Sequence, residues 1–245
     1  MDNKEYKHKD YYLRSGDQYA LAKYNIIRSW LPRVNHLKVL NAGCGSGEMN
    51  IILSNNKTWL VDAIDVDKKA INLSLELKNK LSINNLNIIK SSIEDFESIE
   101  HSYDIIVSND VLEHISDDLN AIKKFAFLIR PKGKIFISVP SFQWLFGYHD
   151  EMLGHYRRYT KASFTKKLSK FFEVEYCRYF GMSLVPLALF YSRYLRKNYP
   201  SGLFPLNDLN NNSIKTNLLQ KILEIESLIQ MPVGTSLLVQ ASLSE

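Results

Sequence analysis

The densest chemistry in the chain lies in SFQWLFGYHDEMLGHYRRYT, residues 141–160. Histidine is the side chain whose ordinary charge change falls near neutral pH, so His149 and His155 can take a proton from a bound nucleophile. Arg157 and Arg158 can grip a carboxylate or phosphate through paired hydrogen bonds, and Trp144 and Tyr159 offer flat surfaces beside them. General-base chemistry needs a base within hydrogen-bond reach of the proton it removes, so His155 and His149 are the candidate catalytic residues. Arg157, Arg158, Tyr159 and Trp144 are candidates for holding the substrate. His114, in VLEHI, joins them if it lines the same pocket instead of capping a helix. The arginines have a structural alternative, in which Asp150 or Glu151 pairs with Arg157 or Arg158 and staples the loop to the next helix.

A second chemical signal is VLNAGCGSGEMN at 39–50, with Gly43, Gly45 and Gly47 directly after a short apolar run. Glycine lets the main chain approach a ligand without a Cβ between them. Such a turn can hold a nucleoside triphosphate, a dinucleotide or an adenosyl sulfonium. The triphosphate is disfavoured because a P-loop ends in Gly-Lys-Ser/Thr, whereas Gly47 precedes Glu48 and Met49. Glu48 also stands where the third glycine of the dinucleotide fingerprint would be, and its charge would repel a pyrophosphate. It would not repel a ligand with a sulfonium and an amino group. Asp65, in AIDVD, lies about twenty residues on, where an acid can accept both ribose hydroxyls of an adenosine. Asp67 fits a helix cap better than that role.

These residues need strands and helices to position them. Apolar runs at 37–42, 58–65, 86–92, 103–110 and 133–140 alternate with helical patterns such as DKKAINLSLELKNKL. Short apolar runs separated by helices predict parallel strands with crossover helices on both faces. DDLNAIKKFAFLI is a helix opened by two aspartates at its positive end and closed by RPKGK. FFEVEYCRYFG (171–181) and GTSLLVQASL (234–243) supply two more strands. Between them some fifty residues include NLLQKILEIESLIQ, apolar at helical spacing, and a connection of that length carries structure of its own. DQYALAKYNIIRSWL is an amphipathic helix with Tyr19, Ile26, Ile27 and Trp30 on its buried side.

The bulk composition fits one soluble α/β domain. Of the 245 residues, 45% are hydrophobic and 23% charged, and the net charge of +5 comes from 31 basic and 26 acidic side chains. With so small an excess and no basic stripe interleaved with aromatics, nucleic acid is not an expected partner. Cys44 and Cys177 stand in no metal-ligand spacing, so no zinc site or disulfide framework, and no metal, is expected. MDNKEYKHKDYYLRSGDQ has no apolar core of a secretory signal. YFGMSLVPLALFYSRYL is broken by Gly181, Pro186 and Arg193 and is short of the ~20 residues a spanning helix needs. A cytoplasmic location is expected.

VLNAGCGSG, AIDVD, SSIEDF, YDIIVSNDVLEHISD and RPKGKIFISVP, in this order and spacing, resemble a class I S-adenosylmethionine-dependent methyltransferase over residues 36–180. The His-Asp-Glu…Gly-His-x-Arg-Arg-Tyr run is similar to one found in a bacterial branch of these enzymes. The resemblance implies a Rossmann-like, doubly wound, mostly parallel seven-stranded sheet with an antiparallel last strand and a helical insertion before it. It implies S-adenosylmethionine as cofactor, with Gly43, Gly45 and Gly47 along its methionine part and Asp65 on its ribose. Val66 and Ile93 would meet the adenine, and Asn109, Asp110 and Val111 the methionine moiety. Ser92 stands where the family commonly has an acid for the adenine amino group.

The expected organisation is a helical lid segment at 1–35 (with Tyr11, Tyr12 and Arg14 over the cofactor), a cofactor-binding core at 36–180, an insertion at 181–232 and the final strand at 233–245. The insertion would be a substrate cap, a dimer contact or a membrane-surface contact through Arg193, Arg196 and Lys197. The expected activity is methyl transfer to oxygen of a small-molecule or glycan- or lipid-linked acceptor. The alternatives are an N-methyltransferase, a cofactor-binding scaffold of this fold without turnover, and a nicotinamide-dependent oxidoreductase, the last disfavoured by Glu48.

Overall fold

The computed structural model describes residues 17–197 and 214–244. The lid candidates Tyr11, Tyr12 and Arg14 lie outside the described residues. Seven strands form one sheet: β1 (Lys38–Ala42), β2 (Leu60–Asp65), β3 (Leu86–Lys90), β4 (Tyr103–Asn109), β5 (Ile129–Pro140), β6 (Phe172–Phe180) and β7 (Ser236–Leu243). Their order is β3-β2-β1-β4-β5-β7-β6. The first five pair in parallel, and β7 runs antiparallel to both β5 and β6. This is the expected sheet, with the final strand wedged between two earlier ones. Strand order reverses between β1 and β4, so β1 ends at the switch point where open α/β sheets bind ligands.

Both faces of the sheet are buried, which is why its strands read as continuous apolar runs. Leu40, Ile106, Ile135, Ile137 and Val239 point into one core layer, with Phe125 and Phe164 from the helices. Val39, Ile105, Phe136 and Leu238 point into the other, with Ile26, Ile27 and Leu53. The helices are α1 (Gln18–Trp30), α2 (Glu48–Ser54), α3 (Lys68–Lys80), α4 (Asp118–Leu128), α5 (Tyr148–Leu153), α6 (Lys161–Leu168), the single turn α7 (Val185–Leu187) and α8 (Ile214–Leu228). Asp17, Asp67 and Asp117 cap α1, α3 and α4, each accepting from backbone N–H groups of the first turn, which satisfies donors that a helix start leaves orphaned.

β5 begins at Ile129 rather than after RPKGK. The charged stretch is the exposed start of a long strand, and pairing with β4 slips between Tyr103 and Ile105 to admit it. Before β7, helix α8 is embedded in the fold. α8 lies against α1, Leu223 is buried in the same layer as Ile26 and Ile27, and the Arg178 guanidinium of β6 donates to the carbonyls at the end of α8. After α7 the chain continues as one π-helical stretch, Ala188–Tyr194. Phe190 and Tyr194 on it are exposed.

Candidate active site

The glycine turn sits between β1 and α2 with positive φ at Gly43 (+78°), Gly45 (+52°) and Gly47 (+102°). The Gly43 and Cys44 N–H groups both donate to the Ile64 carbonyl at 2.9 Å, which ties the turn to the end of β2. A Cβ on Gly43 would meet Val111 Cγ2 at 2.2 Å, whereas one on Gly45 would meet nothing within 4 Å. The turn is therefore packed against the exit of β4 on one side and open on the other. At that opening the Gly45 N–H donates to Asp65 Oδ2 and the Asp67 N–H to Asp65 Oδ1, each at 2.9 Å. Burial raises the Asp65 carboxyl above its ordinary value, while those backbone donors pull it back. Burial and the Asp65 charge push the Cys44 thiol up to about 12, so it is no thiolate at neutral pH.

Val66, next to Asp65, is half exposed, whereas Ile93 is buried in the core with Phe96. The Ser92 hydroxyl donates to Asp95 Oδ2 at 2.8 Å and accepts from the Asp95 N–H. The exit of β4 is pinned as firmly as the glycine turn. Asp110 adopts φ +52°, a left-handed conformation that Asp tolerates better than most side chains. Its N–H donates to the Ser138 carbonyl at 2.9 Å, and its Oδ1 accepts from the Ser138 hydroxyl at 3.1 Å. Its Oδ2 pairs with the buried ammonium of Lys23 on α1. Burial alone would discharge that ammonium, but the Asp110 carboxylate keeps it protonated well above its ordinary range. Beside it Asn109 Nδ2 is buried with no hydrogen-bond partner among the described residues.

The polar segment after β5 folds back onto this exit. The Tyr159 N–H donates to the Pro140 carbonyl at 2.9 Å, and the Tyr156 N–H to Glu113 O at 2.8 Å. That second bond brings His155 to the short turn Leu112–His114, and the His114 and His155 rings meet edge-to-face with centroids 4.5 Å apart. His155 Nδ1 lies 2.8 Å from Asp150 Oδ1. The same oxygen accepts from Arg158 Nε at 2.7 Å, and Oδ2 accepts from the Gly147 N–H at 2.9 Å. Asp150 is fully buried; burial would raise its pKa, but the bonds from His155 and Arg158 bring it down to about 2. A carboxylate can only accept, so Nδ1 of His155 carries a proton, and in the neutral ring Nε2 is then the nitrogen with the lone pair.

Glu113 completes the group. Its carboxyl is entirely buried, and neither oxygen has a hydrogen-bond partner among the described residues. Burial, and secondarily the charge of Asp110, push its pKa well above the ordinary value. One donor atom each from Glu113, His114 and His155 lie within 4.8 Å of one another. This is an arrangement that can accept a proton or hold a cation.

Glu113 was missing from the residues expected from sequence. It precedes His114 directly, and the pair EH after β4 was the available signal. Of the expected residues, His114 and His155 are brought together and His149 is not among them. His149 lies on α5, where its N–H donates to the Ser192 hydroxyl. Arg158 is turned inward: its guanidinium holds Asp150 and donates to the Ser141 carbonyl at 3.3 Å, the stapling role weighed as the alternative. Arg157 donates to the Ser116 carbonyl and pairs with Asp118. Tyr159, expected at the substrate, is instead a core residue at 2% exposure. Its hydroxyl donates to Asp118 Oδ2 at 2.8 Å, which satisfies the one polar atom of an otherwise apolar packing. Trp144 is half exposed beside Phe142.

A family profile described as a methyltransferase domain matches residues 33–177. The chain belongs to this methyltransferase family. Among curated proteins, the chain is 31% identical over 106 residues to a ubiquinone biosynthesis O-methyltransferase of Vibrio campbellii, a match covering 41% of this chain and 43% of that protein. It thus spans less than half the length of such relatives. Among solved structures, it matches an S-adenosylmethionine-dependent methyltransferase from Mesorhizobium loti with a TM-score of 0.62 at 14% identity, over 90% of this chain and 97% of that one. It also matches phosphoethanolamine N-methyltransferase 2 of Haemonchus contortus, in complex with S-adenosyl-L-methionine, with a TM-score of 0.64 at 14% identity, over 91% of this chain and 52% of that one. No helix among the described residues is long and apolar enough to cross a membrane.

Proposed function

We propose that this methyltransferase methylates a hydroxyl oxygen of a small-molecule acceptor, and that the acceptor meets the cofactor between the glycine turn and the Glu113–His114–His155 group. The cofactor supplies an activated methyl group on sulfur. The chain has to bind it, align the acceptor in line with the breaking bond and receive the hydroxyl proton. Two observations support a fit to the adenosyl ligand. Gly45 has open space where a Cβ would stand, and Asp65 holds a buried carboxylate beside it, aligned by two backbone N–H groups. Asp65 then takes the ribose hydroxyls, Gly43 to Gly47 border the methionine part, Val66 meets the adenine, and Asn109 to Val111 face the methionine moiety. Ser92 and Ile93 stand behind the adenine, Ile93 as packing.

The observation that carries the choice of oxygen is the pairing of His155 with Asp150. Asp150 fixes Nδ1–H and leaves Nε2 of His155 to receive a proton at the group that contains Glu113 and His114. An amine acceptor can lose its proton to solvent before attack, whereas a hydroxyl gains most from a fixed base. A positioned base is worth typically ~10²–10⁴-fold. The partial match to proteins named O-methyltransferase supports the same choice.

The test is transfer of labelled methyl from S-adenosylmethionine to a panel of phenols, alcohols and amines, water-soluble and lipid-tailed, with products mapped by mass spectrometry. Label at a hydroxyl oxygen is the expected result. Label confined to amine nitrogen overturns the acceptor assignment. Parallel calorimetry with S-adenosylhomocysteine should show binding that Asp65→Ala removes.

A further inference from the structure

We propose that the outer face of the helical stretch at residues 182–197 docks this protein on the surface of an anionic lipid bilayer, lying in the plane of the headgroups without crossing the membrane. Docking is independent of the acceptor assignment and can be read without methyl transfer. Three features of the stretch carry it.

The first is an apolar stripe that points away from the fold. The chain winds from the turn Met182–Leu184 through α7 directly into the π-helical stretch. Pro186, Leu189, Phe190, Arg193, Tyr194 and Lys197 are all exposed, and their recurrence every three to four residues puts them on one side of it. Phe190 is 53% exposed and Tyr194 81%. Single exposed apolar side chains are ordinary, but a contiguous stripe marks contact with something apolar. The elements packed against the stretch add to it, with Trp144 and the α5 residue Met152 both half exposed.

The second is that the stripe is held outward. On the inner side Val185 and Ala188 are buried with Leu145. Ser192 is fully buried, and its hydroxyl accepts from the His149 N–H at 2.9 Å. A Cβ on Gly147 would lie 2.6 Å from the Ser192 carbonyl oxygen, so the two backbones approach more closely than a larger residue allows. These contacts tie the stretch to α5 and the turn before it, and α5 also carries Asp150, the partner of His155. With the inner face fixed, Leu189, Phe190 and Tyr194 can leave water only against something outside the described fold.

The third is charge, which selects the partner. Between Glu175 and Asp208 the sequence has no acidic residue and four basic ones, Arg178, Arg193, Arg196 and Lys197. Arg178 is committed to the carbonyls at the end of α8 and Arg196 to Glu151. Arg193 and Lys197 lie on the stripe itself, and neither side chain pairs with a carboxylate of the described residues. Aromatic and aliphatic side chains edged by cations suit the boundary between headgroups and acyl chains, where the rings enter the apolar layer and the cations meet lipid phosphates. A second copy of this chain, paired face to face through the same stripe, would bring like charges together. No helix among the described residues is long and apolar enough to span a bilayer, so the stretch lies on the surface.

The experiment sediments full-length protein with sucrose-loaded vesicles of phosphatidylcholine alone, and of phosphatidylcholine mixed with phosphatidylglycerol, without cofactor or acceptor. Wild type should bind the mixed vesicles, bind the neutral ones more weakly, and lose the difference as added salt screens the headgroup charge. Arg193→Ala combined with Lys197→Ala should weaken binding to mixed vesicles by ~25-fold, about fivefold for each cation, and leave binding to neutral vesicles unchanged. Leu189→Ser, Phe190→Ser and Tyr194→Ser together should weaken binding to both by ~10-fold or more. S-adenosylhomocysteine affinity and Tm should match wild type in both variants, which shows that they are folded; if the triple variant fails to fold, the charge variant and the salt dependence carry the test. No sedimentation of wild type with mixed vesicles, equal sedimentation with both kinds of vesicle, or equal sedimentation of all three proteins overturns the proposal. Self-association in analytical ultracentrifugation that the triple variant abolishes, with no vesicle binding, overturns it in favour of a second copy. None of these outcomes touches the acceptor atom, so a failure of docking leaves methyl transfer to a hydroxyl standing, and label found only on nitrogen leaves docking standing.

Discussion

Two regions meet at the carboxyl edge of the sheet, and they use polar groups in opposite ways. At the end of β1 and β2 the protein offers its backbone outward: the turn is bare at Gly45, and the one carboxylate, Asp65, is aligned by N–H groups beside it. After β5 the sequence is far more charged, yet most of that charge is used internally. Arg158 holds Asp150, Arg157 and Lys167 hold Asp118, and Arg196 reaches Glu151. The arginines and the lysine named here are thus paired with carboxylates of the chain itself. These charges build a rigid frame around one histidine, and the reactive group at its centre is small. Under the proposed function, the cofactor side gains binding from openness and the acceptor side gains alignment from closure.

That contrast can be broken from either side, and the largest effect belongs to the acceptor side. His155→Gln should lower kcat by ~10²–10⁴-fold with little change in cofactor affinity, read by steady-state kinetics and by calorimetry with S-adenosylhomocysteine. His149→Gln, six residues earlier in the chain on α5 and outside the cluster, should leave kcat within a few fold. Equal losses in both variants would remove the distinction between frame and reactive group.

On the cofactor side, Asp65→Ala would delete the two charge-assisted hydrogen bonds proposed to the ribose, ~1.5–3 kcal/mol each. The Kd for S-adenosylhomocysteine should rise by ~100-fold or more, with a smaller loss of Tm from the two backbone N–H groups left without their acceptor. A large loss of stability with unchanged affinity would mean that Asp65 serves the fold alone. Gly43→Ala sharpens the same point, since the added methyl would meet Val111 at 2.2 Å and force the turn and the β4 exit apart. It should cost both Tm and affinity.

The strands and the turn were legible because parallel strands buried on both faces leave unbroken apolar runs, and Gly43, Gly45 and Gly47 fall directly after one. The start of β5 was not legible, because Arg130 to Lys132 are exposed and carry a solvent-facing composition inside a strand. Tyr159 was misplaced for a similar reason. A tyrosine among arginines looks like a substrate contact, and only the meeting with Asp118, 41 residues away in the chain, shows it to be core. Glu113 escaped because its significance is wholly spatial. In the sequence it is one acid among 26 acidic residues, and its distinction comes from burial without hydrogen bonds. The pairing of His155 with Asp150 was closer to legible, since both lie in one short segment and the alternative of an internal ion pair was already visible there.

The smallest effects separate the two kinds of ion pair within the acceptor side. Asp118 is buried and shared by Lys167, Arg157 and the Tyr159 hydroxyl. Burial would raise its carboxyl, but Lys167, Tyr159 and Arg157 together hold it below the ordinary value. A carboxyl depressed in the folded state stabilises above its unfolded pKa, near 4, and the gain is lost as pH falls through the folded value. Asp118→Asn should therefore lower Tm at pH 7, by ~2–4 °C for each kcal/mol lost in a chain of this size, and the gap to wild type should narrow as the pH drops below about 4. A gap independent of pH would assign the loss to packing of Asn instead of to the charge. Arg196, whose partner Glu151 is also exposed, supplies the contrasting case. An exposed pair is screened by water and salt and holds two flexible side chains at an entropic cost, so Arg196→Ala should leave Tm unchanged at pH 7 and at pH 4. A measurable loss there would show that the frame around His155 extends outward to the π-helical stretch, and that closure of the acceptor side begins farther from the reactive group than Asp150 and Arg158.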